Sequence, residues 1–294
     1  MVTLASSVVD RVLRKVRRSA NLTLLDGAIT NAQTTVILDN VTYVGNFSRL
    51  EIGSELMVTT AVDKPNRVVT VIRGFLGTTA ASAVDNAPVF VDPEFLRKDI
   101  LDSINECLDD LYPDLYQVGQ KELTYSSSII GYALDAGTPR PLAVWAEFDS
   151  TSKNWKPIGD WDIETQANLT DFAGGQALMI RTALPNGARV RVSYPKPFVK
   201  IADETVDLEA VAGLATYMVD LPFYYAMAYM LSERENQRSQ IQSAQAHQRS
   251  EDVPAFSAMQ MASWYRARYE DKKKEALHRL LLENRKILRT SYGS

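Results

Sequence analysis

The sequence contains few of the residues that carry enzyme chemistry. Its 294 residues include one cysteine, Cys107, and two histidines, His247 and His278. A single cysteine excludes an internal disulfide. Neither histidine stands beside a carboxylate and a nucleophile, so a His-based triad or a His-rich metal site is not expected. The motifs G-x-x-x-x-G-K-S/T, G-x-G-x-x-G and G-x-S-x-G are absent from the sequence. We therefore expect a protein that is not an enzyme and that carries no metal and no cofactor.

Long apolar runs are also missing. No run of 18 apolar residues occurs, and no apolar stretch follows the short basic region at the N-terminus. The first absence argues against a transmembrane helix, and the second argues against a secretory signal. With 46% apolar and 23% charged residues, the composition is typical of a folded protein. The length allows two domains, and no membrane partner is expected.

The formal net charge of −4 hides an uneven distribution. Residues 1–19 carry a net charge of +4 and residues 256–294 carry +5, which leaves −13 for the chain between them. The N-terminal cations surround an apolar stripe of Val8, Val12 and Val16, and this spacing of four residues predicts an amphipathic helix. Basic ends on an acidic body favour contacts between subunits, or a basic rim against an acidic partner or DNA. They fit two solvated helix faces equally well.

Two stretches have the pattern of antiparallel β structure. Between positions 21 and 92, short β-branched runs alternate with turn residues, which is typical of a small barrel or sandwich. Strand-like runs separated by Gly, Pro and Asn turns recur between positions 121 and 204. Helical patterns occupy the rest of the chain. Asp92-Pro93-Glu94 predicts the start of a helix and Pro113 predicts its end, while residues 206–217 predict a short helix.

The C-terminal region has the longest helical pattern. Asp220 predicts the cap of one helix, which turns wholly polar after its first three turns. A polar stretch follows, and a second helix is expected over residues 256–289, about 50 Å long at 1.5 Å per residue. Met261, Tyr265 and Tyr269 lie on one side of it. A helix of this length needs neighbours that shield its apolar side.

These patterns together predict an α+β fold, a helical bundle with a long C-terminal helical hairpin and two inserted antiparallel β modules. In this arrangement, helices from distant parts of the sequence pack together and the β modules project from them. The expected division is a basic N-terminal helix over residues 1–20, a β module (barrel or sandwich) over 21–92, a helix of the bundle over 93–120, a second β module over 121–204 and a C-terminal helical region over 205–294.

Three stretches resemble proteins of tailed-phage particles. The run R-V-V-T-V-I-R-G-F-L-G-T-T-A-A-S-A-V-D-N-A-P-V-F over residues 67–90 resembles a strand–turn–strand signature of many virion proteins, R-G-x-x-G-T-x-A followed by a His and D-G-A. Ala83 stands here in place of the His, and Asn86 in place of the Gly. Residues 213–238 resemble the helical region of head-to-tail adaptor (connector) proteins of long-tailed bacteriophages. Residues 264–277 resemble the last helix of that family.

The resemblance implies a twelve-fold homo-oligomeric ring below the portal, in the neck between the capsid and the tail of a siphovirus-type virion assembled in the host cytoplasm. Its partners would be the portal protein, a tail-side neck or terminator protein, and DNA that passes through an acidic channel without sequence readout. In such rings a terminal segment often docks onto the portal. From their charge, we expect the termini to contact the portal or a neighbouring subunit through Arg11, Arg14, Lys15, Arg17, Arg18, Lys286, Arg289 and Tyr292.

Two other functions fit the same residues. Because the strand–turn–strand signature is shared among virion proteins, the chain also suits another virion role, such as a tail or baseplate component. Trp145, Trp155 and Trp161 fall in one short stretch and would suit a carbohydrate-binding protein, although tryptophans in such a pattern are more often core or interface anchors.

Overall fold

The computed structural model describes residues 3–17, 21–135, 138–149, 153–244 and 257–291, and their side chains except at positions 149, 235–244, 257 and 284–291. The described residues fall into two compact units. The first is built from the chain up to position 107 and from positions 200–270, and the second from positions 108–199 and from 271 onward. Four α-helices are described: α1 (Ala5–Val16), α2 (Arg97–Leu111), α3 (Leu221–Ala244) and α4 (Ser257–Ser291).

Thirteen strands lie in the described part of the chain, and every pairing between them is antiparallel. The first unit contains β1 (Asn21–Leu24), β2 (Thr35–Ile37), β3 (Arg49–Ile52), β4 (Glu55–Asp63), β5 (Val68–Ile72) and β6 (Pro88–Val91). The second unit contains β7 (Gln117–Thr124), β8 (Gly131–Ala133), β9 (Ala143–Asp149), β10 (Asn154–Ile158), β11 (Trp161–Glu164), β12 (Ala177–Ile180) and β13 (Arg189–Lys196).

The predicted helical bundle is wrong, because the fold is mixed α/β and rich in antiparallel sheet. The strands form a six-stranded, a four-stranded and a three-stranded sheet, and each unit has its own sheet-based core. The 3.6-residue periodicity located helices, but it does not specify what their apolar faces pack against. The sheets are therefore the framework of the two units rather than inserts in a helical bundle.

The predicted C-terminal hairpin is also wrong. A hairpin turning between α3 and α4 would place residue 265 of α4 beside a position near 236 of α3. Instead, the ring of Tyr265 lies 6.1 Å from that of Phe223, and the ring of Tyr269 lies 5.4 Å from that of Tyr225. The first turn of α3 therefore contacts α4 within the first unit, and the division between the units falls inside α4, after Glu270.

The six strands of the first unit form a barrel-like sheet in the order β1-β6-β3-β4-β5-β2. Its two edges meet, because Leu25 just after β1 forms a β-bridge with Leu38 just after β2. The backbone N–H of Asp26 also donates to the carbonyl of Ile37, at 2.9 Å. A closed sheet leaves few unpaired edge groups and encloses its side chains. The interior is aliphatic: Leu25, Leu38, Leu50, Met57, Val69, Val71, Val89 and Val91.

The second unit holds two sheets, β10-β9-β13-β7 and β11-β12-β8. One core draws side chains from both, including Val144 and Val190 from the larger sheet and Leu178 from the smaller one. Along β13, Val190 and Val192 are buried while Arg189 lies on the outer side, which fits the alternation that its sequence predicts. Ser193 departs from that pattern, since it is buried as well.

One predicted helix is confirmed and one begins later than predicted. The α1 stripe is confirmed, since Val8, Val12 and Val16 are all buried. By contrast, α2 begins at Arg97 rather than at Asp92. The Asp92 side chain accepts a hydrogen bond from the backbone N–H of Arg49, at 2.8 Å, so it serves the edge of the barrel instead of a helix. Asp92 was therefore correctly predicted to accept a backbone hydrogen bond, but the donor belongs to β3 and not to a helix.

The helix predicted over residues 206–217 is wrong. There the carboxylate of Asp207 accepts hydrogen bonds from the backbone N–H groups of Glu209 and Ala210, at 2.8 and 3.3 Å. Such local bonding favours a turn over a helix. Gly213 has a φ of 80°, which breaks any helix there, and only a short 3₁₀ turn forms, at Thr216–Met218.

Candidate interaction surfaces

The structure disperses the basic residues of α1 instead of presenting them together. Arg14 and Lys15 are exposed on the outer side of the helix. Arg11 pairs with Asp220, just before α3, at 2.7 Å, and its guanidinium lies 3.8 Å from the centre of the Phe223 ring. Of the four predicted N-terminal contact residues that the structure describes, Arg14 and Lys15 are therefore the two exposed side chains with no partner on another described element.

Arg17 is buried inside the first unit. Its Nη2 donates to Glu51 Oε1 at 2.5 Å and to the carbonyl of Phe95 at 2.7 Å, and its Nε donates to the same carbonyl at 3.1 Å. The side chain of Arg17 is 10% exposed and that of Glu51 is 3% exposed. The guanidinium also lies 4.7 Å from the centre of the Phe90 ring. Arg17 thus joins α1 to the barrel and to the segment before α2.

Glu51 is the centre of this buried ionic network. Burial raises its pKa, against the opposing effect of the nearby Arg17 cation. Its second carboxylate oxygen accepts a hydrogen bond from the backbone N–H of Arg97, at 2.9 Å. The guanidinium of Arg97 in turn pairs with Glu204 and with Asp10. A single glutamate within the apolar run L-E-I was the sequence signal for this network, because a buried carboxylate needs a cation partner.

The remaining predicted contact residues lie at the edges of the described chain. Arg18 and Tyr292 are outside the described residues. Lys286 and Arg289 belong to the last turns of α4, where the backbone is helical and the side chains are not described.

The R-G-x-x-G-T loop is held against the barrel by an arginine–glutamate pair. Arg73 Nε and Nη2 donate to the two oxygens of Glu55, both at 2.7 Å, and the Arg73 side chain is only 8% exposed. The same guanidinium donates to the carbonyls of Thr30, Gln33 and Ala81. This one side chain thereby ties the loop to two neighbouring segments of the barrel.

Each fixed position of that loop has a structural cause. Gly74 has a φ of 62°, and a Cβ there would stand 2.8 Å from the carbonyl oxygen of Thr78. Gly77 also has a left-handed φ, of 76°. Thr78 Oγ1 accepts a hydrogen bond from the backbone N–H of Leu56. The motif therefore builds a rigid loop, and it leaves Leu76 54% exposed at the tip.

The three tryptophans do not form one platform. Trp145 and Trp155 lie on strands of the four-stranded sheet, whereas Trp161 begins β11 in the other sheet and packs against the core. The guanidinium of Arg191 lies 4.3 Å from the centre of the Trp155 ring, so this ring is covered by a cation from its own sheet. A sugar would have to displace that contact.

The first half of α4 carries the most conspicuous apolar exposure of the first unit's helices. Tyr265 and Tyr269 face inward to α3, but Met259, Met261 and Trp264 are 45%, 48% and 59% exposed. A tryptophan this exposed on a helix is unusual, because it forgoes much of the stabilisation that burial gives. Over the whole of α4, the fully buried side chains among those described are Ala262, Tyr269, Ala276 and Leu280.

Within the described ranges, no cluster of three or more His, Cys, Asp or Glu residues is arranged to hold a metal ion. Cys107 is buried and lies 4.0 Å from the hydroxyl of Tyr269. None of the four described helices contains an apolar stretch long enough for a membrane span. Comparison with protein-family models and with curated proteins gave no match.

Proposed function

We propose that this chain is a structural head-to-tail adaptor of a long-tailed phage. In this proposal, copies of the chain form a twelve-fold ring below the portal, continue the DNA channel and dock the tail. The ring is a component of the virion neck and assembles in the host cytoplasm. Its partners are the portal, a tail-side neck or terminator protein, and DNA that is not read by sequence.

The observation that carries the proposal is the sparse burial of α4. A 35-residue helix is about 50 Å long, yet four of its described side chains are fully buried. The preceding helix differs, since Leu221, Phe223, Ala226, Met227 and others are buried in its first turns. A long helix needs tertiary neighbours to be stable in water. Neighbouring subunits of a ring would supply the missing contacts.

Two further features support a structural role. The R-G-x-x-G-T loop, which carries the resemblance to virion proteins, has its arginine, its first glycine and its threonine engaged in contacts with the barrel. The exposed Arg14 and Lys15, together with the basic C-terminal residues, provide cations for a docking contact with the portal.

The test is electron microscopy of the purified chain alone and mixed with the portal protein of the same phage. The proposal predicts rings with a central channel, and rings stacked coaxially on the portal in the mixture. Charge reversal of Arg14 and Lys15 to Glu should weaken the stacking while leaving the rings intact. A chain that stays monomeric and shows no affinity for the portal contradicts the proposal.

A further inference from the structure

We draw no further inference here: the strongest candidate, the apolar surface of the barrel at Phe47 and Leu76, whose side chains are 78% and 54% exposed, carries none because nothing in the structure shows what covers it.

Discussion

Replacing Arg17 tests whether the basic residues of α1 serve the fold or a partner. In Arg17→Ala, the carboxylate of Glu51 stays buried without its cation, and the carbonyl of Phe95 loses both of its guanidinium donors. Breaking one partner of a buried ion pair costs about 3–5 kcal/mol. Arg14→Ala is the matched control, because that side chain is exposed on the same helix, and its cost should stay within about 0.5 kcal/mol.

The assay must report on the first unit alone, because a protein with two units need not unfold in one step. Hydrogen exchange measured by mass spectrometry at increasing urea meets this need, with peptides from α1 and β3 as reporters. In a double-mutant cycle with Glu51→Gln, the Arg17→Ala cost should fall by about 2 kcal/mol. The glutamine keeps an acceptor for the Arg97 N–H without the buried charge.

The pH dependence gives the same reasoning a second readout. Burial raises the pKa of Glu51 in the folded state, so the folded state binds this proton more tightly than the unfolded state does. The stability cost of the buried carboxylate is therefore present above the raised pKa and is relieved as the pH falls through it. Loss of Arg17 removes the effect that lowers this pKa, so the deficit of Arg17→Ala should shrink in mildly acidic buffer. Equal stability of Arg17→Ala and Arg14→Ala refutes the network.

Two further predictions concern the loop and the second unit. Gly74→Ala should destabilise the barrel by about 2–4 kcal/mol, since strain at a left-handed φ adds to a 2.8 Å clash with Thr78. Gly53→Ala is the control, because a Cβ there meets no atom within 4 Å, and it should cost about 1 kcal/mol. Equal urea midpoints of the two variants would contradict the clash. Burial tends to lower the pKa of Lys273, but its bonds with two aspartates outweigh this and raise it. Lys273→Met should therefore have a lower melting temperature than the wild type at neutral pH. This difference in melting temperature should disappear as the pH rises through the raised pKa of Lys273, while exposed Lys274→Met should show no such convergence.

The sequence predicted elements better than it predicted their packing. The spacing of Val8, Val12 and Val16 was enough for α1, because a single buried stripe determines a helix. Likewise, the runs at 34–38, 67–73 and 88–91 each became a strand. By contrast, β8 (G-Y-A) and β11 (W-D-I-E) gave no clear signal, because they lack the β-branched runs that marked those strands. The predicted fold class was wrong because periodicity cannot show whether the apolar side of a helix packs on other helices or on a sheet.

The candidate site shows the same limit. Charge alone grouped Arg17 with Arg14 and Lys15, yet Arg17 follows the end of α1 and is mostly buried, whereas Arg14 and Lys15 are exposed on the helix. The partner that decides this, Glu51, lies far away in the sequence and is brought close only by the fold. The sequence also could not show that Trp264 is exposed, because α4 has more apolar residues than it buries and the pattern does not indicate which of them are buried.

The central claim is that this chain completes its packing against copies of itself. Native mass spectrometry of the intact wild-type chain at micromolar concentration tests that claim most directly. The account predicts one dominant closed oligomer, twelve-fold if the resemblance to connector proteins holds, that dissociates when the exposed Met261 and Trp264 of α4 are replaced with alanine. A spectrum that contains only monomer at every concentration would contradict it.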